Sequence, residues 1–231
     1  MKENQRISKE VVGSSGTGTN VGKRRFWLVL ATKLVARLLL VFRFRLEIKG
    51  LEHLPEESAF VLLPKHQRWE DIPLLALATP RPLYYMAKVE LFLNPLAGWF
   101  ISSLGGVPVN RVRPLASRPS LRHMMACLLK GEGIVVFPEG TYHRNMMGPG
   151  RPGLIRVIHS RFEIPFVPVG IRYSKGSGRT RVKVCFGKPL QGNRFEGIHE
   201  LLEKVMADIA RLSDLTNEAV RGLGRTPEGN H

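Results

Sequence analysis

Beyond residue 46 the chain alternates between two hydrophobic periods. Short continuous apolar runs at Ala59–Leu63, Leu83–Ala87, Val107–Val109, Ile134–Phe137, Phe166–Ile171 and Val182–Phe186 predict strands buried on both faces. Between them, Ile72–Ala78, Leu91–Ser102, Ser120–Lys130, Leu154–Arg161 and Gly197–Leu212 carry the three-to-four-residue spacing of helices. Strand–helix alternation of this kind predicts an α/β fold with a mostly parallel sheet flanked by helices.

Ahead of it, residues 23–45 have another pattern. Lys23-Arg24-Arg25 opens the segment, Phe26 to Phe42 is almost wholly apolar, and Arg43 and Arg45 close it. Lys33 and Arg37 interrupt the run four residues apart, on one helical face, while Phe26, Trp27, Leu30, Leu34, Leu38 and Val41 occupy the others. Two mid-segment charges argue against a simple bilayer span. An amphipathic helix at the membrane interface fits better, and a helix packed on the core is the alternative. Arg24-Arg25 also raises a twin-arginine export signal, against which stand Lys33 within the apolar region and the lack of a following Ala-x-Ala.

Residues 1–22 end in Gly13-Ser14-Ser15-Gly16-Thr17-Gly18-Thr19-Asn20-Val21-Gly22, a composition that predicts a disordered tail. Gly22-Lys23 hints at a phosphate loop, but Thr17 replaces the first glycine and Arg24 the magnesium-binding hydroxyl, so that reading fails. Residues 216–231 read as a second disordered tail. The expected organisation is therefore tail 1–22, interfacial helix 23–45, one catalytic domain 46–215 and tail 216–231.

Charge changes the picture more than composition does. The 231 residues hold 35 Lys and Arg against 19 Asp and Glu, a net charge of +16. Such a surface attracts nucleic acid, anionic lipid, phosphorylated substrates or acidic carrier proteins. Zinc-finger spacing, an RNA-binding aromatic signature and a continuous basic stripe are all missing from the sequence, so no nucleic-acid partner is expected. A non-catalytic basic protein remains the alternative of another class. The two cysteines, Cys127 and Cys185, lie far apart in apolar stretches and predict buried reduced thiols. The seven histidines have no metal-ligand spacing, and no Gly-x-Ser-x-Gly nucleophile motif exists.

Two short runs carry chemistry: Lys65-His66-Gln67-Arg68-Trp69-Glu70-Asp71 and Phe137-Pro138-Glu139-Gly140-Thr141. His66 is of the residue type that most often serves as a general base near neutral pH. Asp71 can accept its other ring N–H and stabilise the imidazolium. Five positions on one helix would put the two about 140° apart, so the pair requires His66 in a turn and Asp71 near the start of the next helix. The plain alternative is that Asp71 caps that helix and His66 lies on a surface loop. The Gly140 loop, with Arg144, suits an anion or developing oxyanion. His66, Arg111 and the 139–144 run each follow a predicted strand, which in a parallel sheet brings them to one edge.

In this arrangement the chain resembles the glycerolipid acyltransferase family. Four blocks of that family occur in order: His66 to Asp71, Gly105-Gly106-Val107-Pro108-Val109-Asn110-Arg111, Phe137 to Thr141, and Val167-Pro168-Val169-Gly170. The resemblance implies transfer of a fatty acyl group from acyl-CoA or acyl-carrier protein to a lysophospholipid hydroxyl, with 1-acylglycerol-3-phosphate the leading acceptor. Glycerol 3-phosphate or an ornithine-type lysolipid is the alternative. His66 and Asp71 are then catalytic, and Arg111, Glu139, Gly140, Thr141, Arg144, Lys65 and Arg68 bind substrate. No cofactor or metal is expected. An anionic membrane surface on the cytoplasmic side is the expected location. Three positions depart from the family pattern: Lys65 stands for Asn, Arg68 for Ser, and Tyr142 for Arg, all beside the expected acceptor site.

Overall fold

The computed structural model describes residues 25–109, 118–176 and 178–215. The two expected tails, and Arg111, lie outside the described residues.

Eight strands form one mixed sheet: β1 (Phe44–Lys49), β2 (Phe60–Pro64), β3 (Leu83–Lys88), β4 (Gly106–Val109), β5 (Gly133–Val135), β6 (Pro165–Ser174), β7 (Thr180–Phe186) and β8 (Leu190–Gln191). The order is β1-β7-β6-β2-β5-β3-β4, with β8 alongside β6. Strands β2 to β6 are mutually parallel. β7 and β8 run antiparallel to β6, and β1 runs parallel to β7. The sheet is thus mostly parallel, with a reversed edge that periodicity did not disclose.

Among the described residues, six helices cover it: α1 (Phe26–Arg43), α2 (Asp71–Ala78), α3 (Pro95–Ser103), α4 (Arg118–Leu129), α5 (Gly153–His159) and α6 (Ile198–Leu212). One core joins Val61, Leu63, Ile134, Met124, Ile155 and Val205 under α4, α5 and α6. A second joins Phe60, Leu62, Val135, Val167, Leu74 and Leu75 under α2. Alternate residues of β2 and β5 serve opposite cores, as a strand's two-residue period requires. Gly170 lets the end of α6 approach β6, because a Cβ there would stand 2.3 Å from the Leu212 carbonyl carbon.

The expected boundary between residues 45 and 46 falls inside β1. The helix stops at Arg43, Phe44 turns extended at φ −124° and ψ 142°, and the strand starts without a linker. Phe44, Leu46 and Ile48 alternate with Arg45, Glu47 and Lys49, a strand period that the basic helix end obscures.

The α1 segment is a helix, but its charges are not arranged as expected. Lys33 turns inward and donates from Nζ to the Thr79 carbonyl oxygen at 3.1 Å, at the end of α2, where a cation is favoured. Arg37 is exposed. Trp27, Leu30, Leu34 and Leu38 therefore make an outward face that Lys33 does not interrupt. Among the described residues, no helix is long and apolar enough to cross a membrane.

Candidate active site

β2 and β5 are parallel neighbours, so the loops that follow them meet at one sheet edge. His66 stands two residues past β2, and Asp71 is the first residue of α2. The required turn-plus-helix geometry is therefore present. His66 Nδ1 lies 3.2 Å from Asp71 Oδ2. The same oxygen accepts the backbone N–H of Gln67 at 2.6 Å and of Arg68 at 2.7 Å. Asp71 thus reaches back to the loop before it instead of capping its own helix, and both side chains are buried. The plain alternative does not describe this pair.

Because an ionised carboxylate only accepts, the contact assigns the proton to Nδ1 and leaves the Nε2 lone pair open. The His66 ring lies against Phe137, with centroids 3.8 Å apart, and against Tyr142 at 4.3 Å. These contacts fix its orientation in a site largely closed to water.

Tyr173, near the end of β6, completes the carboxylate's shell. Its hydroxyl donates to Asp71 Oδ1 at 2.6 Å. Burial first, and then the charge of Asp71, push the Tyr173 phenol well above its ordinary value, so it stays a donor. The Arg68 guanidinium lies 4.4 Å over the Tyr173 ring. On that ring's other neighbour, Phe44, the centroids are 6.2 Å apart.

Lys65 and Glu139 are placed beneath the histidine. Both side chains are fully buried, and Lys65 Nζ donates to Glu139 Oε1 and Oε2 at 2.8 and 2.7 Å. Lys65 also donates to the His143 carbonyl at 2.7 Å. Glu139 accepts the His66 amide at 3.0 Å and the Gly148 amide at 2.6 Å. Burial pulls the Lys65 ammonium below its usual range, against the opposing pull of Glu139. Neither residue presents a surface to a ligand in this structure, which differs from the substrate contact expected of them. The reason is tertiary: both strands end side by side, so the residues after them face each other.

Loop 140–148 closes over this pair. Gly140 takes the left-handed conformation at φ 72°, which turns the loop sharply after Glu139. The amides of Gly140, His143 and Asn145 donate to Phe137 O, His66 O and Gln67 Oε1. These amides hold the loop on the protein, so the expected anion cradle is already filled by internal partners there. Thr141 and Arg144 are exposed on the same loop, and Arg68 is half-buried at its rim.

The structure thus brings His66, Asp71, Lys65, Arg68, Glu139, Gly140, Thr141 and Arg144 together. It adds Tyr173, Tyr142, Phe137 and Gln67, whose side chain bridges the Ile171 carbonyl and the Asn145 amide. Of these, Gln67 and Phe137 lay in the two chemistry-bearing runs without an assigned role, Tyr142 had stood out as a departure from the family pattern, and Tyr173 had not been singled out. No spacing rule links Tyr173 to a residue 102 positions away.

A model of the family described as Acyltransferase matches residues 45–172. The chain belongs to the acyltransferase family. A non-catalytic basic protein is therefore set aside. A 1-acyl-sn-glycerol-3-phosphate acyltransferase of Streptococcus pneumoniae is 28% identical to this acyltransferase over 206 residues, covering 85% of this chain and 76% of the relative. The enzyme of the same name from Bacillus subtilis is 29% identical over 160 residues, 67% and 78% of the two chains. A lyso-ornithine lipid O-acyltransferase of Pseudomonas aeruginosa is 28% identical over 235 residues, 93% and 83% of the two. The crystal structure of the 1-acyl-sn-glycerophosphate acyltransferase PlsC from Thermotoga maritima has the same fold, with TM-score 0.66 over 87% of this chain and 81% of that one, at 22% identity.

Proposed function

We propose that this acyltransferase moves a fatty acyl group from a thioester donor, acyl-CoA or acyl-carrier protein, to the free hydroxyl of 1-acylglycerol-3-phosphate in phospholipid synthesis. The observation that carries the reading is the His66–Asp71 pair, with Nδ1 engaged and Nε2 open. Nε2 takes the hydroxyl proton as the oxygen attacks the thioester carbonyl. The imidazolium that forms is balanced by Asp71, itself held by Tyr173 and two loop amides. The tetrahedral intermediate collapses, the C–S bond breaks, and the proton passes from His66 to the departing thiolate.

Lys65 and Glu139 act as positioning residues. Their buried pair grips both polar groups of the His66 peptide: Glu139 accepts its N–H, and Lys65 lies 3.3 Å from its carbonyl. Arg68, Thr141 and Arg144, at the rim, are the proposed contacts to the acceptor headgroup, joined by Arg111.

The donor and acceptor share a lipid phase. The outward apolar face of α1 and the +16 charge support a peripheral seat on an anionic membrane, on its cytoplasmic side.

A second acceptor, a lyso-ornithine lipid, has two observations in its favour. The relative named for a lyso-ornithine lipid aligns with 93% of this chain, and Arg68 and Tyr142 depart from the family pattern beside the acceptor rim.

The test is thiol release from palmitoyl-CoA by the purified protein, with lysophosphatidic acid, glycerol 3-phosphate or lyso-ornithine lipid, and with acyl-carrier protein as second donor. Acceptor-dependent release is expected, and His66→Ala should lower it by a factor on the order of 100 to 10,000. Full activity in His66→Ala would sink the mechanism.

A further inference from the structure

The crossover between β3 and β4 is unusual for a surface segment. A 3-10 turn at Val89–Phe92 leads into α3, and no charged residue occurs from Leu91 to Val109. Leu91, Leu93, Leu96, Trp99 and Phe100 are all exposed, Leu93 by 76% and Leu96 by 81%. Single exposed leucines are common on soluble proteins; five large apolar side chains within ten residues form a patch.

The patch rests on ordered backbone. Asn94 caps α3, its Oδ1 accepting the amides of Leu96 and Ala97 at 3.0 and 3.1 Å, with Pro95 in the first turn. Gly98 fits against the turn, where a Cβ would meet the Phe92 carbonyl oxygen at 2.8 Å. The leucines are therefore held outward by fixed local structure.

Two contacts join this patch to α1. The Arg25 amide donates to the Ser103 carbonyl at 3.0 Å, and the Arg25 guanidinium lies 5.5 Å over the Trp99 ring. Trp27, 79% exposed, follows two residues later. The outward faces of α1 and α3 thus adjoin, with two tryptophans near the seam and Arg25, Lys88 and the single acid Glu90 at the margins. Tryptophan with flanking cations suits the headgroup layer of a bilayer.

Topology supplies the orientation. Residues 89–95 follow the C-terminal end of β3, which is parallel to β5 and, through it, to β2. They therefore lie along the same sheet edge as His66.

We propose that residues 91–100 are a second membrane-inserting element, which together with α1 seats the active-site edge on an anionic bilayer. This rests on the proposed function in one respect: the acceptor hydroxyl enters from that bilayer. Charge selects the occupant, since the exposed apolar surface belongs to a chain of +16.

The test uses the full chain and sedimentation with vesicles of phosphatidylcholine and phosphatidylglycerol. Leu93→Glu with Leu96→Glu should lower the partition coefficient about tenfold or more, since burying apolar area drives interfacial binding. Acyl transfer to lysophosphatidic acid in detergent micelles should stay within about twofold, as both side chains are exposed. A second measurement is independent of that variant's folding. With Trp27→Phe and Trp69→Phe, Trp99 is the sole tryptophan, and its emission should shift to the blue on adding vesicles. Unchanged partitioning, or unchanged Trp99 emission, overturns the proposal. So does a wild-type dimer that the leucine variant disperses with partitioning intact, because the patch would then face a second copy. If the wild type transfers no acyl group in micelles, the proposed function fails, and partitioning still decides this inference.

Discussion

Tyr173 and His66 bind the same carboxylate through different oxygens, the phenol on Asp71 Oδ1 at 2.6 Å and the imidazole on Oδ2 at 3.2 Å. The phenol thereby sets the angle at which the carboxylate meets the ring. Tyr173→Phe removes a hydrogen bond to a charged group, an interaction contributing ~1.5–3 kcal/mol. We expect kcat to fall by roughly tenfold with KM for the acceptor little changed, since the phenol touches Asp71 and not the substrate. Equal losses in kcat and in stability-normalised folding yield across all substrates, with KM also raised, would mean that the ring only packs.

The same phenol predicts an alkaline signature. Its folded-state value is raised above the ordinary one of about 10. A raised value stabilises the fold fully below the unfolded value, and that stability is lost as pH rises from about 10 upward. Wild type should lose up to about 1 kcal/mol more between pH 10 and 11 than Tyr173→Phe does, measured by urea melts at each pH. Parallel pH dependence in the two proteins would refute the assignment.

The buried Lys65–Glu139 pair predicts strong non-additivity. Lys65→Met leaves Glu139 as an unpaired buried charge, which costs about 3–5 kcal/mol. Adding Glu139→Gln should restore part of the loss, because the uncompensated charge is gone. A double-mutant cycle by urea denaturation reads this directly; additive single losses would show that the two groups do not depend on each other.

At the rim, Arg144 is exposed and makes its proposed contribution only through substrate. Arg144→Ala should raise KM for an anionic acceptor by roughly five- to tenfold with kcat held, and should leave stability within about 0.5 kcal/mol. A fall in kcat at constant KM would place Arg144 in the transition state instead.

Much of this site was readable from spacing. The His66–Asp71 interval implied a turn followed by a helix start, and that is the observed geometry. The continuous apolar runs of β2, β5 and β6 marked the buried strands. What stayed hidden depends on pairing. β1 merged with the basic end of α1 because Arg43 and Arg45 read as a helix margin. The antiparallel β6–β7 pair had a signal in the sequence, the Gly-rich run Gly176-Ser177-Gly178, but alternation with helices dominated the reading. Lys65 and Glu139 were expected at the substrate because the family resemblance places their motifs beside the acceptor site. Only the adjacency of two strand ends shows that they neutralise each other. Lys33 misled for a similar reason, since helical phase alone does not tell which side meets the protein.

The Lys65–Glu139 pair fastens two distant segments of this chain by charge. Lys65 belongs to the first motif and Glu139 to the third, 74 positions apart. In this chain, removing the Lys65 charge alone would leave the Glu139 carboxylate in the interior with its two amide donors, and removing Glu139 alone would leave a buried ammonium. The loops after β2 and β5 are thereby tied by one buried charge pair, so the two walls of the site hold or loosen together.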